Sequence, residues 1–323
     1  MMCVNSKDEI DSEPMISNGV TLKCSLGEVY LGSVITCSTK LAHDVEADIK
    51  HRSVNIVKFY AFLRNNRNAP VDIKLKVLEA CFSSVLHNAK TWADCKIERL
   101  EVLHRRMLKS ILGVRMTTPT EFLQVELGVP SVKTYVLVKE FKFWMKVVEL
   151  SDSDPLMYAV TLGRRFNLKE VAHYDKLLEK YNTADDIITE YFTKINAQIR
   201  EKAEENRSRY VTYLSINPLL EHPSSYKSIF SYKDVSMLAK LRTTSHNLQI
   251  DMGRRTGTPR ERRTCHCGSV EDEEHFLLKC QSYIPIRIQH NINNNTTISN
   301  ILSENINLSY IISLYETRNL YHA

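Results

Sequence analysis

Glycine and proline are scarce, nine of each in 323 residues, and a chain with so few breakers leans towards helix. No apolar run approaches the roughly 18 residues of a membrane span, which argues against a membrane partner. The opening MMCVNSKDEID carries no apolar signal core, so the protein is expected to be intracellular, in nucleus or cytoplasm. Cysteine is sparse at eight residues, and in a reducing compartment a disulfide framework is not expected. Cys3, Cys24, Cys37, Cys81 and Cys95 are scattered, and only Cys265, Cys267 and Cys280 cluster. No pattern in the chain identifies a small-molecule substrate.

What is present is ordinary in bulk and uneven in place. Hydrophobic residues make up 43% and charged residues 25%, the balance of a globular protein. The net charge of +5 is mild, but between Lys240 and Thr264 seven Lys or Arg stand against two Asp or Glu. Such a local patch says more about a polyanionic partner than the total does. Glu271 to Glu274, EDEE, then reverses the sign and reads as a solvated helix N-terminus.

Along the chain, residues 1–18 are polar and read as frayed. VTLKCSLGEVYLGSVIT, Val20 to Thr36, is rich in Val, Ile, Leu and Tyr and predicts a β-hairpin, closing a first segment at residue 40. From 41 to 150 the period becomes helical. Val45, Ile49, Val54, Val57 and Phe62 mark the first stripe, Pro70 restarts a second helix, and a third runs to Gly113 as its C-terminal cap. In that third helix Ile97, Leu100, Leu103, Met107 and Ile111 form the apolar stripe, with Arg99, Arg106 and Lys109 on another face. Thr118 is the expected N-cap of the next helix. Val132 to Leu150 buries Leu137, Phe141, Trp144 and Val148 and turns Lys139, Lys142 and Lys146 the other way. SDSDP, Ser151 to Pro155, is a polar break opening a helical connector over 151–232, in which PLLEHPSSYKS, Pro218 to Ser228, is the linker candidate. A basic segment with the cysteine cluster follows over 233–290, then a polar spacer and a closing helix over 291–323. The expected fold is mainly α: a short N-terminal β-hairpin, a helical bundle, further helices and a small metal-binding segment.

The cluster reads Cys265-x-Cys267-x7-His275-x4-Cys280. Three thiolates and one imidazole suit Zn2+ in a tetrahedral structural site, and four protein ligands leave no position for a reactive water. A short segment with little core of its own gains its folding energy from such a metal. The single residue between the first two cysteines is one fewer than zinc loops usually place there. His266 could replace one of the cysteines, or the three thiols could stand reduced beside a surface histidine. Arg254, Arg255, Arg260, Arg262 and Arg263 precede the cluster, and guanidinium forks suit phosphate oxygens. A solvated loop is the plainer alternative. Phe276 could stack on an unpaired base, although burial against Leu277 or Leu278 is the plainer reading. Thr183-Ala184-Asp185-Asp186 superficially suggests a catalytic carboxylate pair, but its helical context makes Asp185 and Asp186 first-turn residues.

RERRTCHCGSVEDEEHFLLKCQSYIPIR resembles the C-terminal cysteine–histidine segment of non-LTR retrotransposon reverse transcriptases. There a cysteine pair precedes an acidic stretch, then His-Phe-Leu, the last Cys, Tyr and Arg, matched here by His275, Phe276, Leu277, Cys280, Tyr283 and Arg287. KLRTTSHNLQIDMGRR also resembles that family. VYLGSVIT before DVEADIKHR is similar to the junction of palm and thumb, and HNAKTWADCKIERLEVLHRRMLKSILGVRMTTP to the thumb helices. Together these cover most of 20–150 and 236–290. The chain departs from the family in its one-residue cysteine gap and in lacking any match to the aspartate pair upstream of YLG. The resemblance implies a C-terminal remnant, or part, of an RNA-directed DNA polymerase, inactive by itself. It would hold RNA or DNA through a thumb-like bundle and a zinc knuckle. Lys139, Lys142, Lys146, Arg99, Arg106 and Lys109 would be phosphate contacts beside the arginine run. The competing expectation is an inert helical scaffold.

Overall fold

A computed structural model describes residues 15–17, 20–22, 27–30, 33–36, 40–223, 225–226, 229, 231–302 and 307–322. The protein is mainly helical, with short antiparallel strand pairs at the N-terminal end. Strand β1 (Met15–Ser17) pairs with β2 (Val20–Leu22), and β3 (Gly27–Tyr30) pairs with β4 (Ser33–Thr36). The expected hairpin over Val20 to Thr36 is therefore divided. Val20–Leu22 pairs backwards in sequence, and Gly27 opens a strand, facing Thr36. Cys3, Cys24, Cys37 and most of the expected frayed segment lie outside the described residues.

The helices that follow are α1 (Leu41–Arg52), α2 (Val54–Asn65), α3 (Val71–Val85), α4 (Glu98–Leu112), α5 (Thr120–Leu127) and α6 (Val132–Val148). Next come α7 (Pro155–Arg165), α8 (Lys169–Lys180), α9 (Ala184–Glu204) and α10 (Ser208–Ile216). The last are α11 (Tyr232–Arg242), α12 (Gln249–Thr256), α13 (Ile284–Gln289), α14 (Ile298–Leu302) and α15 (Leu308–His322). Among the described residues no helix is long and apolar enough to cross a membrane.

Several starts and stops follow local chemistry. Asp154 accepts the Leu156 amide at 2.8 Å with Pro155 at the first helical position of α7. Thr183 and Asp186 exchange caps at the start of α9: Asp186 accepts the Thr183 amide at 2.8 Å and donates its own amide to Thr183 Oγ1 at 3.2 Å. Asp185 and Asp186 are thus first-turn carboxylates, as the helical context implied. Two expectations fail locally. Ser53 ends α1 through its amide to the Ile49 carbonyl, and α2 restarts with a new phase, so Val54 and Val57 are exposed while Ile56 and Phe59 are buried. Thr118 does not cap α5; its hydroxyl donates to Ser245 Oγ at 2.9 Å, and Pro119 occupies the cap position.

The chain divides into two compact units. The first comprises Met1–Phe62, Val77–His104 and Pro130–Tyr191. Its main core joins Phe141, Trp144 and Val147 of α6 with Val160 of α7, Tyr174 and Leu177 of α8 and Ile187 of α9. Trp144 stacks on Tyr174 at 4.8 Å and donates its indole N–H to Asp175, which Arg164 grips with both arms of its fork. The second comprises Leu63–Lys76, Arg105–Val129 and Phe192–Ala323. Its core stacks Phe122 of α5 on Tyr213 of α10 at 4.0 Å, beside Val125, Ile199 and Leu220. Within the stretch expected as a linker, Leu220, Pro223, Ser225 and Tyr226 are buried in this unit.

Candidate metal centre

The metal-binding segment starts from a tight reversal. Thr264 bridges Val270 antiparallel, the Cys265 amide donates to the Ser269 carbonyl at 2.9 Å, and Gly268 supplies a φ of +86° that side-chain-bearing residues rarely adopt. This turn carries Cys265 and Cys267 on one short loop. The other two donors come from the helical turn that follows. Asp272 caps it by accepting the His275 amide at 2.9 Å. Over His275–Lys279 the turn widens, with the Cys280 amide donating to the His275 carbonyl at 2.8 Å. A hydrogen bond between residues five apart sets Cys280 over His275, where an α-helix would set residue 279.

The four donors converge. Their ligand atoms all lie within 4.8 Å of one another, the one such grouping of three or more metal-grade side chains found among the described residues. Cys280 Sγ lies 4.0 Å from Cys265 Sγ and 3.9 Å from Cys267 Sγ. His275 Nε2 lies 3.2 and 3.3 Å from the sulfurs of Cys265 and Cys267. A tetrahedron with metal–sulfur bonds of about 2.3 Å has sulfur–sulfur edges of about 3.8 Å, so two of the three sulfur–sulfur edges are already spaced for one. The exception is the Cys265–Cys267 edge at 2.7 Å, and the single intervening residue is its cause. That gap nonetheless lets the Cys267 amide turn towards Cys265 Sγ at 3.3 Å, the contact that longer zinc loops provide.

Electrostatics separate the thiols. Burial pushes Cys265 up to about 12 and raises Cys280 as well. Cys267 is exposed; burial is the largest single influence and raises its thiol, but hydrogen bonds with Cys265 and the Ser269 backbone together outweigh it, and the thiol sits below the ordinary range. Burial also lowers His275, which favours the neutral imidazole that a metal needs. His266 stands apart. Its Nε2 pairs with Ser282 Oγ at 2.6 Å and its ring stacks on Tyr321 at 3.9 Å, so it does not replace a cysteine. Cys81 and Cys95 are free and half-buried.

The surroundings lock this segment to the second unit. Phe276 is fully buried, edge-on to Tyr283 at 5.7 Å and tilted on Tyr315 at 5.1 Å, so it is core and offers no face to a base. Arg287 donates to the Cys280 carbonyl at 2.6 Å. The acidic run is not the solvated surface expected of it. Glu271 is buried and accepts both arms of Arg318, at 2.6 and 2.8 Å, and the Gln249 amide. Glu273 is buried against His246 at 2.8 Å, while Glu274 remains exposed. Arg318, His246 and Tyr315 support the centre and carry no local sequence signal.

The basic residues are not equivalent. Arg255, Arg260 and Arg262 are exposed, and Arg260 reaches Asp272 at 3.2 Å. Arg263 turns inward and donates to the carbonyls of Thr258 and Ile250 at 2.8 and 3.2 Å, and Arg254 is largely buried. Lys109 is buried and donates to the Met116 carbonyl, so its ammonium is used inside the second unit. Arg106 is exposed in that unit. Arg99, Lys142 and Lys146 are exposed in the first unit, and Lys139 is half-buried there, with its ammonium lowered by burial and then by Lys90. Comparison with protein families, curated proteins and solved structures found no match to this chain.

Proposed function

We propose that this chain is a nucleic-acid-binding, C-terminal part of a non-LTR retrotransposon reverse transcriptase, gripping RNA or DNA through a zinc-stabilised knuckle. One observation carries the reading: Cys265, Cys267, His275 and Cys280 converge to within 4.8 Å beside exposed arginines. Three sulfurs and one imidazole favour zinc over magnesium or calcium, which take oxygen ligands. With all four positions supplied by protein, the ion would be structural, fixing the turn that follows Arg260 and Arg262. Those arginines, with Arg255, would neutralise phosphates. The resemblance supplies the family, and the chain's lack of a matching aspartate pair makes its own role positioning, not nucleotidyl transfer. Primer extension with magnesium is expected to give no product.

The test is RNA affinity as a function of salt. For single strands the logarithmic slope is about −0.7 per phosphate neutralised, so removing three phosphate-binding arginines should flatten it by about 2. Replacing Arg255, Arg260 and Arg262 together by Ala should do so while leaving thermal unfolding nearly unchanged, since all three are exposed. Elemental analysis should find close to one zinc per chain. A second reading, a helical scaffold without nucleic-acid binding, is favoured by the inward use of Arg263 and Lys109. RNA affinity too weak to detect at low salt would select it.

A further inference from the structure

Between α10, α12, the start of α14 and the metal-binding segment lies a cleft of about 430 Å³, within the range of small-molecule sites. Its apolar lining comes from Val211, Ile250, Leu278 and Ile298. Its polar lining places a guanidinium, Arg254, in the same cleft as the carboxylates of Asp272, Glu273 and Glu274. These groups are not equally committed. Asp272 holds Arg260, and Glu273 holds His246. Glu274 is exposed and tied only to Lys279, through a pair more than half open to water on the lysine side, a contact worth little. Arg254 has a buried Nη1 without a hydrogen-bond partner, its nearest carboxylate being Asp251 at 3.9 Å. The cleft therefore holds one donor group short of an acceptor and one carboxylate loosely held.

A ligand that answers both needs flat apolar faces, adjacent acceptors on one edge and adjacent donors on another. Among nucleobases, guanine fits: O6 and N7 accept from a guanidinium, and N1–H and the 2-amino group donate to a carboxylate. Adenine offers a donor beside N7 and carries no 2-amino group. A phosphate alone is disfavoured, because three carboxylates line the cleft against two arginines. We infer that this cleft is a guanine-selecting site for an unpaired nucleotide of an RNA strand, with Arg254 and Glu274 reading the base. The RNA context rests on the function proposed above; the base preference does not.

The test uses the full zinc-loaded chain and free nucleoside monophosphates, followed by calorimetry or saturation-transfer NMR. Guanosine monophosphate should bind roughly tenfold or more tighter than adenosine monophosphate, with inosine monophosphate, which lacks the 2-amino group, in between. Glu274→Gln should erase the gap between guanosine and inosine, and Ser215→Phe, at an exposed lining position, should block all three. Both variants are checked for unchanged thermal unfolding. In parallel, oligouridine with and without one central guanosine is titrated. Equal binding of the nucleotides, or none, overturns the site. RNA binding indifferent to guanosine also overturns it while leaving the proposed function standing. Guanosine binding without RNA binding keeps the site and removes that function.

Discussion

At the scale of single residues, two buried ionisable groups dominate expectation. Glu126 is fully buried in the second unit and accepts from Arg242 Nε at 2.6 Å and Nη2 at 2.9 Å, from Tyr226 at 2.7 Å and from Tyr213 at 3.0 Å. Its charge is tolerable because every lone pair has a donor. Arg242→Met would strand that carboxylate, and such losses cost about 3–5 kcal/mol. The expected result is a lower urea midpoint, partly recovered when Glu126→Leu is added; equal costs for the single and double variants would deny the coupling. His104, in the first unit, lies between the rings of Phe82 and Tyr135 at 4.9 and 6.3 Å, with Nδ1 unpartnered. Burial lowers it from 6.5 to about 4. Its folded form resists a proton that the unfolded chain accepts, so stability is full above pH 6.5 and falls as pH drops towards 4. At 1.36 kcal/mol per unit the loss approaches about 3 kcal/mol. His104→Leu should shrink the difference in stability between about pH 7 and about pH 4 by about that amount. An unchanged difference would assign the acid sensitivity elsewhere.

At the scale of elements, helix ends test the backbone. Gly113 closes α4 and Gly257 closes α12, both left-handed, at φ +63° and +70°. They differ in surroundings. A Cβ on Gly113 would sit 2.6 Å from the Tyr232 hydroxyl and 2.7 Å from Ser236 Oγ, whereas one on Gly257 would meet nothing within 4 Å. Gly257→Ala should therefore cost only the left-handed strain, about 1–2 kcal/mol. Gly113→Ala should cost clearly more, and equal shifts in unfolding temperature would contradict this. The Gly113 cap was legible in the sequence, as were the break before Pro155 and the first-turn place of Asp185 and Asp186, because these signals are confined to a few residues. The ligand spacing was legible for the same reason. What escaped the sequence depends on distant partners or on phase. Glu271 and Glu273 look like surface carboxylates until Arg318 and His246 arrive from 47 and 27 residues away. Val54 and Val57 look like core because the break at Ser53 resets a helical phase that the apolar spacing runs straight through. The widened turn at His275 has no pattern of its own, yet it brings Cys280 over the histidine.

At the scale of the molecule, the question is what the metal holds. An isolated zinc finger unfolds without its ion, since nothing else organises it. Here the two halves of the centre are anchored differently. The His275–Cys280 half is fastened by Phe276 and Tyr283 in the core, by Arg318 on Glu271, and by Tyr310, whose hydroxyl donates to the Leu277 carbonyl. None of these contacts involves a ligand atom. The Cys265–Cys267 half is a turn whose backbone hydrogen bonds, apart from Glu271 N–H to the Arg263 carbonyl, run within itself; its outside side-chain anchor is exposed His266 on Ser282 and Tyr321, and positions 266–269 are all exposed. Chelation should therefore leave the protein folded and release the turn. In hydrogen exchange read by mass spectrometry, peptides covering 264–270 should lose protection on adding a chelator and regain it with zinc. Peptides covering 276–283 should change little, because their protection reports packing that the ion does not supply. Loss of protection across both would mean that the core depends on the metal after all, and no change in either would mean that the four donors converge without binding one.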